Sequence, residues 1–330
     1  MKTTIFGAGA VGGHLAARLG AAGAEVAAVA RGAHLAAIQQ RGVTLHIGDE
    51  RYHARIRATD RPAELGPQDL VIVTAKSSVL PALAPSIATL VGPDTSVVFA
   101  MNGIPWWYLY RLDGATGRPD LSRLDPDGAL AREIGPERVI GCMINSANEV
   151  IAPGVVRNSP MTRNKFTLGE PDGTISRRVQ AISAELEAHG VHAPITTTIR
   201  VEIWDKLLRN LATSPICALT GEPIAVIGRH PELFETSRGL MREGLAVAKA
   251  HGIAVEDNFT ASYGTRPTST HKSSMLQDFE RGRPPEIDGI LTSIQAFARA
   301  AAVPTPTIDA VTGLVIEKAR RMGLYPEAQL

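Results

Sequence analysis

The sequence predicts an α/β protein: a doubly wound parallel sheet over residues 1–197, then an all-helical domain over residues 198–330. Three observations predict it. A short apolar strand, Thr4-Ile5-Phe6, runs straight into Gly7-Ala8-Gly9-Ala10-Val11-Gly12. Near-continuous apolar runs then alternate with helical or loop segments, as in strands covered by helices on both faces. From Thr198 onwards only helical patterns remain, separated by Pro and Gly.

The opening segment is the most specific. Strand, Gly-x-Gly-x-x-Gly, an Ala/Leu-rich helix (Gly13 to Ala22) and a second strand (Glu25 to Ala30) make up a βαβ unit of Rossmann type. Gly7 permits the tight turn, Gly9 lets backbone approach a pyrophosphate, and Gly12 lets the helix lie close to the sheet. The loop as a whole, Ala8, Ala10 and Val11 included, frames the phosphates on the helix-start N–H groups. The second strand bears on which nucleotide. An NAD site asks for a carboxylate at that strand's carboxyl end, but the chain reads Val29-Ala30-Arg31-Gly32 and Glu25 lies at the wrong end. Arg31 stands where a guanidinium forks onto a 2′-phosphate, which favours NADP(H) over NAD; a plain surface arginine is the alternative.

Further strands are expected at Ala54–Thr59, Leu70–Thr74, Ser96–Ala100, Val139–Met143, Gly154–Arg157, Lys165–Leu168 and near Ala193–Thr197, with a helix over Ile175–His189. In the second domain, helices are expected over Glu202–Thr213 (stopped by Pro215), Pro231–Gly252, Thr270–Arg281, Glu286–Ala302 and Thr307–Met322. The reactive end of a dinucleotide is expected in a crevice at the sheet's carboxyl edge, facing the helical domain.

Bulk properties narrow the function classes. The chain has 330 residues, 44% hydrophobic and 20% charged, with a net charge of +1. That charge gives no general attraction to nucleic acid or to anionic membrane, so neither is expected as a partner. Cys142 and Cys217 have no metal-like spacing, and no metal site or disulfide framework is expected. A secretory signal would take the first strand and glycine loop with it, and the Ala-rich run is broken by Arg18 and Glu25. A cytoplasmic protein is expected, and apolar helix faces in the second domain fit a homodimer.

Three groups carry candidate chemistry. Lys76 and Asn102-Gly103 follow apolar strands at once, where ligand groups gather in this architecture. Lys76 reads equally as a solvated lysine, and Asn102 as a turn residue. In Trp204-x-Lys206-x-x-x-Asn210 the lysine and asparagine share one helix face. Hydride delivery to a ketone leaves an alkoxide; an ammonium supplies charge and proton, and an amide one turn away orients either partner. Spacing alone favours an ordinary exposed polar pair. The third group is Ser273-Ser274-Met275-Leu276-Gln277-Asp278 with Glu286 beyond it. Serine suits a substrate carboxylate and Glu286 a substrate hydroxyl, although after Pro284-Pro285 the glutamate reads more readily as a helix-dipole acid.

In combination and order these motifs, ending in Glu286-Ile287-Asp288, resemble the ketopantoate reductases (2-dehydropantoate 2-reductases) over nearly the whole chain. The resemblance implies NADPH-dependent reduction of 2-dehydropantoate to (R)-pantoate, for pantothenate and coenzyme A synthesis. It implies Lys206 as the general acid, Glu286 on the substrate's hydroxyl end, and Ser274 and Asn210 on its polar groups. Asn102 and Lys76 fall near the nicotinamide and its ribose, Asn102 also on the substrate side, with Arg31 on the 2′-phosphate. Two departures stand out. Ser214-Pro215 replaces the family's Asn-Pro pair, and bulky Trp106-Trp107-Tyr108 follow Asn102-Gly103, with an added loop to about Glu137. The tryptophans either reshape the pocket or pack beneath that loop. Reduction of another 2-oxo acid, a related β-hydroxyacid dehydrogenase reaction, and a catalytically silent NADP(H) sensor are the rival readings.

Overall fold

The computed structural model describes residues 1–112, 117–159, 164–260 and 270–327. Residues 113–116 of the expected added loop lie outside them. The chain divides into two compact units. One comprises Met1–Met101, Trp107–Leu112 and Asp125–Ile199; the other comprises Asn102–Trp106, the described part of Asp113–Leu124, and the chain from Arg200.

The first unit begins with β1 (Thr3–Phe6), α1 (Ala10–Ala21), β2 (Val26–Val29), α2 (Gly32–Arg41), β3 (Val43–Ile47), β4 (Glu50–Ala54) and β5 (Arg57–Thr59). It continues with β6 (Leu70–Val73), α3 (Leu80–Ala88), β7 (Ser96–Ala100), α4 (Ala129–Glu133) and β8 (Val139–Asn145). β9 (Asn148–Ala152), β10 (Val155–Asn158), β11 (Lys165–Gly169) and α5 (Arg177–Ala188) complete it. The main sheet has the order β11-β8-β7-β6-β1-β2-β5. Every pairing in it is parallel except β11 with β8. Strand order reverses between β1 and β6, and at such a switch point loops diverge to opposite faces and leave a crevice at the carboxyl ends. β6 (Leu-Val-Ile-Val) is at most 1% exposed, which accounts for its unbroken apolar run.

Five sequence expectations are corrected here. Ala54–Thr59 is two strands in two sheets, β4 pairing with β3 and β5 with β2. Between them the chain crosses over α1, where a Cβ on Gly20 would meet Ala54 at 2.7 Å and Ile56 at 2.8 Å. Ala193–Thr197 forms only the isolated bridges Lys165–His192 and Leu168–Ile195. A second, four-stranded sheet, β4-β3-β10-β9, was not foreseen. It covers the flank of α1 turned away from the main sheet. Gly13 is the contact point, since a Cβ there would lie 2.6 Å from Val156.

The fourth and fifth corrections fall in the other unit, which holds α6 (Ile199–Thr220), α7 (Pro231–Ala250), α8 (Ser274–Glu280), a π-helical turn (Asp288–Thr292), α9 (Ser293–Ala300) and α10 (Pro306–Arg321). Among the described residues it contains no strand. α6 does not stop before Pro215 but runs through it. A helix-interior proline costs about 3 kcal/mol. Leu211, Ala212, Ile216 and Cys217 on the flanking turns are at most 3% exposed, and burying one large apolar side chain returns about 1.5–3 kcal/mol. Packing therefore wins, and the buried Ser237 hydroxyl donates to the Ala212 carbonyl beside the proline. α8 starts later than expected, at Ser274, because the Ser273 hydroxyl accepts the Leu276 N–H and caps it. Among the described residues no helix is long and apolar enough to cross a membrane.

His14, on α1, is 2% exposed, with Nδ1 2.8 Å from Asn148 Oδ1. Burial pulls its pKa down from 6.5 to about 4, with the Asn148 bond opposing and the nearby Arg18 charge assisting the shift. The folded state thus binds fewer protons than the unfolded chain between those two values. Stability contributed by His14 is complete above pH 6.5 and is lost as pH falls through about 4. Roughly 2 kcal/mol should disappear between pH 7 and pH 5. Urea midpoints at the two pH values should show it, and His14→Gln should flatten the difference.

Candidate active site

In the first unit the glycine loop is tied to both neighbouring strands. Gly7 N–H and Ala8 N–H donate to Val29 O at the end of β2, and Thr74 Oγ1, just past β6, donates to Gly7 O at 2.5 Å. Gly7 has φ +102°, a conformation open to glycine. Gly12 is constrained by space instead. A Cβ there would fall 2.1 Å from Gly7 O and 2.5 Å from Thr74 Oγ1. Gly9 is exposed, and a Cβ on it would meet no atom of the described residues within 4 Å. No described residue fills that space, so the backbone there is open to a ligand lying on it. α1 begins directly behind, with no side-chain cap and no acid in its first turn. Its Ala10, Val11 and Gly12 N–H groups open a helix N-terminus suited to an anion.

Arg31 is exposed and is the N-cap residue of α2, two positions beyond β2, the strand beside β1. No carboxylate occurs at that strand end. Lys76 is half-buried two residues after Thr74, on the other side of β1. The first unit therefore gathers Gly7 to Gly12, Arg31 and Lys76 at the carboxyl edge around the switch point. Two residues there were not singled out from sequence. Thr74 is one. The other is His34, whose Nδ1 accepts the Gly154 N–H, leaving the neutral ring's proton on Nε2, close to Ala8. Burial holds its pKa below the ordinary value.

In the helical unit, Trp204 is fully buried and meets Phe297 edge-on at 5.2 Å. With Leu207, Leu208 and Leu211, each at most 1% exposed, it fixes the rotation of α6. Lys206 and Asn210 consequently sit half-buried on one face of the helix. Ser214 and Cys217 continue that stripe, both buried. Ser273 lies beside the Cys217 thiol, which burial pushes up to about 11. Ser274 is exposed at the first turn of α8.

Glu286 is 6% exposed, and the Asn102 amide donates to its Oε2 at 3.0 Å. Two predicted site residues, 184 positions apart, are thus in direct contact. The backbone reinforces the pair: Ile104 N–H donates to Gly289 O at 2.7 Å. Gly103 (φ +75°) has no room for a side chain, since its Cβ would lie 2.4 Å from the same oxygen. Of the tryptophans, Trp107 packs on β8, where its ring would lie 2.8 Å from a Cβ on Gly141, and it is 2% exposed. It is core. Trp106 belongs to the helical unit and is half-buried.

A cavity of about 640 Å³, lined in part by Gly92, Pro93, Arg132, Glu137 and Arg138, lies where β7 and β8 begin, at the opposite edge of the sheet from the glycine loop. It belongs to neither group of site residues. Among the described residues no three or more His, Cys, Asp or Glu side chains gather as metal ligands do.

A glycine-rich loop at the switch point of a doubly wound sheet, with a helical unit carrying a lysine, amides and a buried carboxylate, is the arrangement of a Rossmann-type oxidoreductase. Residues 3–107 match the family model "Ketopantoate reductase PanE/ApbA", and residues 198–319 match "Ketopantoate reductase PanE/ApbA C terminal". The chain is 43% identical to the 2-dehydropantoate 2-reductase of Mesorhizobium japonicum, covering 98% of this chain and 100% of that protein. A crystal structure from Ralstonia solanacearum, provisionally termed a ketopantoate reductase, superposes with a TM-score of 0.89 at 36% identity, covering 98% and 99% of the two chains. D-mandelate dehydrogenase with NADH and anilino(oxo)acetate shares the fold, with a TM-score of 0.82 at 21% identity over 98% and 100% of the chains. The chain belongs to the ketopantoate reductase family. It is an oxidoreductase acting on a CH–OH group.

Proposed function

We propose that the protein reduces 2-dehydropantoate to (R)-pantoate with NADPH, the step that serves pantothenate and coenzyme A synthesis. The whole-length likeness to a named 2-dehydropantoate 2-reductase carries this reading. In the sequence-based division, residues 1–197 take the cofactor role and residues 198–330 the substrate and catalytic role; by contact, Asn102–Trp106 goes with the helical unit.

The cradle suits a dinucleotide. Gly9 leaves the space a Cβ would fill, and the uncapped α1 N-terminus offers N–H groups to a pyrophosphate. Gly7, Ala8, Gly9, Ala10, Val11 and Gly12 would line the phosphates, Arg31 would fork onto the 2′-phosphate, and Lys76 and Asn102 would serve the ribose and nicotinamide. When bound, NADPH supplies the hydride that reduces the ketone carbon. Lys206 then gives a proton from its ammonium to the new alkoxide oxygen, completing the alcohol. Glu286 accepts a hydrogen bond from the substrate's hydroxyl group and Asn102 keeps that carboxylate in place. Asn210 and Ser274 hold the remaining polar groups of the substrate.

Purified protein with NADPH and ketopantoate should show falling absorbance at the nicotinamide band; no turnover with this substrate would overturn the assignment. Arg31→Ala should weaken NADPH, and not NADH, by about ten- to a hundredfold, the range of one lost charge-assisted contact. Equal use of both cofactors by the unaltered enzyme would refute the role of Arg31. Reduction of a different 2-oxo acid is a second reading, favoured by Ser214. Buried on α6 where the family's Asn-Pro pair is expected, it is shorter than an amide. Comparing kcat/KM across a panel of 2-oxo acids separates the two.

A further inference from the structure

The carboxylate of Glu286 is fixed by more than Asn102. Two residues further on, Asp288 opens the π-helical turn and is held both from within that turn and from other parts of the chain. Tyr325, beyond the end of α10, donates its phenol to Asp288 Oδ1 at 2.7 Å. Thr292, one turn on, donates to the same oxygen at 2.9 Å. Arg123, from the segment before α4, donates to the Tyr325 oxygen at 3.1 Å and lies 3.8 Å from Asp288. Donation therefore runs one way, from guanidinium to phenol to carboxylate. Burial, with help from Asp288, holds the Tyr325 phenol above its ordinary pKa, so it remains a donor across the physiological range.

A π turn leaves backbone groups out of the regular helical ladder. Here the Gly289 carbonyl is taken by Ile104 N–H at 2.7 Å and Ser293 Oγ at 3.0 Å. The connections close into a ring: Tyr325 holds Asp288, the π turn holds Ile104 and Gly103, Asn102 holds Glu286, and Glu286 leads back through Ile287 to Asp288.

We infer that Tyr325 and Asp288 are positioning residues, which set Glu286 and Asn102 for substrate by holding the π turn against the Asn102–Ile104 segment. This rests on the proposed role of Glu286 as a substrate-holding group. Tyr325→Phe keeps the ring and removes only the donor. Losing one hydrogen bond to a charged group should raise KM for the 2-oxo acid by about tenfold and change kcat less than about threefold. Amide hydrogen exchange at residues 102–106 should quicken by about tenfold in the absence of substrate, because the Ile104 N–H loses its fixed acceptor. Asp288→Ala should reproduce both changes.

Unchanged exchange at 102–106 in both variants overturns the inference. So does a lowered Tm with KM unaltered, which is what a purely structural tyrosine would give. If the parent enzyme reduces no 2-oxo acid, the proposed function fails by itself, and the exchange measurement alone decides whether the ring of contacts exists.

Discussion

Lys206→Ala should lower kcat by about a hundredfold to ten-thousandfold, the usual cost of removing a general acid. NADPH affinity should be unchanged, since the glycine loop is built from residues of the first unit. The fold should survive. Lys206 is half-buried on the polar face of α6, while Trp204, Leu207, Leu208 and Leu211 carry the packing. Steady-state turnover, NADPH titration and a thermal melt separate these outcomes. A variant with near-normal kcat would remove Lys206 from the chemistry. One with normal kcat and raised KM would make it a binding group, because an interaction equal in ground and transition states moves KM alone.

Gly12→Ala and Gly9→Ala should behave differently, although both belong to one motif. At Gly12 the new methyl must displace Gly7 O, 2.1 Å away, and Thr74 Oγ1, 2.5 Å away. Overpacking of this kind costs about 1–3 kcal/mol, here at the turn that presents the helix N-terminus. Both Tm and NADPH affinity should fall. Losing even one charge-assisted amide contact, about 1.5–3 kcal/mol, weakens Kd roughly ten- to a hundredfold. At Gly9 a methyl meets no atom of the described residues within 4 Å. Stability should hold and only affinity should fall. If Gly9→Ala binds NADPH as well as the parent, the pyrophosphate does not lie on this loop.

The glycine loop was legible because its constraints are local: the spacing of three glycines and an adjoining strand carry them. Lys206 and Asn210 were legible for a similar reason, being one turn apart on a helix whose leucines mark the buried side. The contact of Asn102 with Glu286 was not, as it joins residues 184 positions apart and depends on how the π turn seats Gly289 against Gly103. Nor was the second sheet. β4 and β9 are five-residue strands, largely exposed or half-exposed, and the apolar residues of β9 (Val150-Ile151-Ala152) make too short a run to mark a sheet by themselves. Their hairpin signals, Gly48-Asp49 between β3 and β4 and Pro153-Gly154 between β9 and β10, were the available clue. Pro215 misled in the opposite direction. The rule that proline ends a helix is local, whereas the burial that carries α6 through it depends on α7. Trp107 could not be placed without β8, because Gly141 gives no hint in sequence that an indole fills the space above it.

The position of α1 between two sheets bears on how this end of the molecule meets its ligand. Its flanks are walled by the main sheet and by β3, β4 and β10, with Gly13 and Gly20 letting the walls close in. An anion arriving at such a helix finds a receptor already assembled, so little conformational entropy remains to be surrendered on docking. In the proposed function the backbone amides would then supply affinity, and Arg31, at the end of β2, the discrimination.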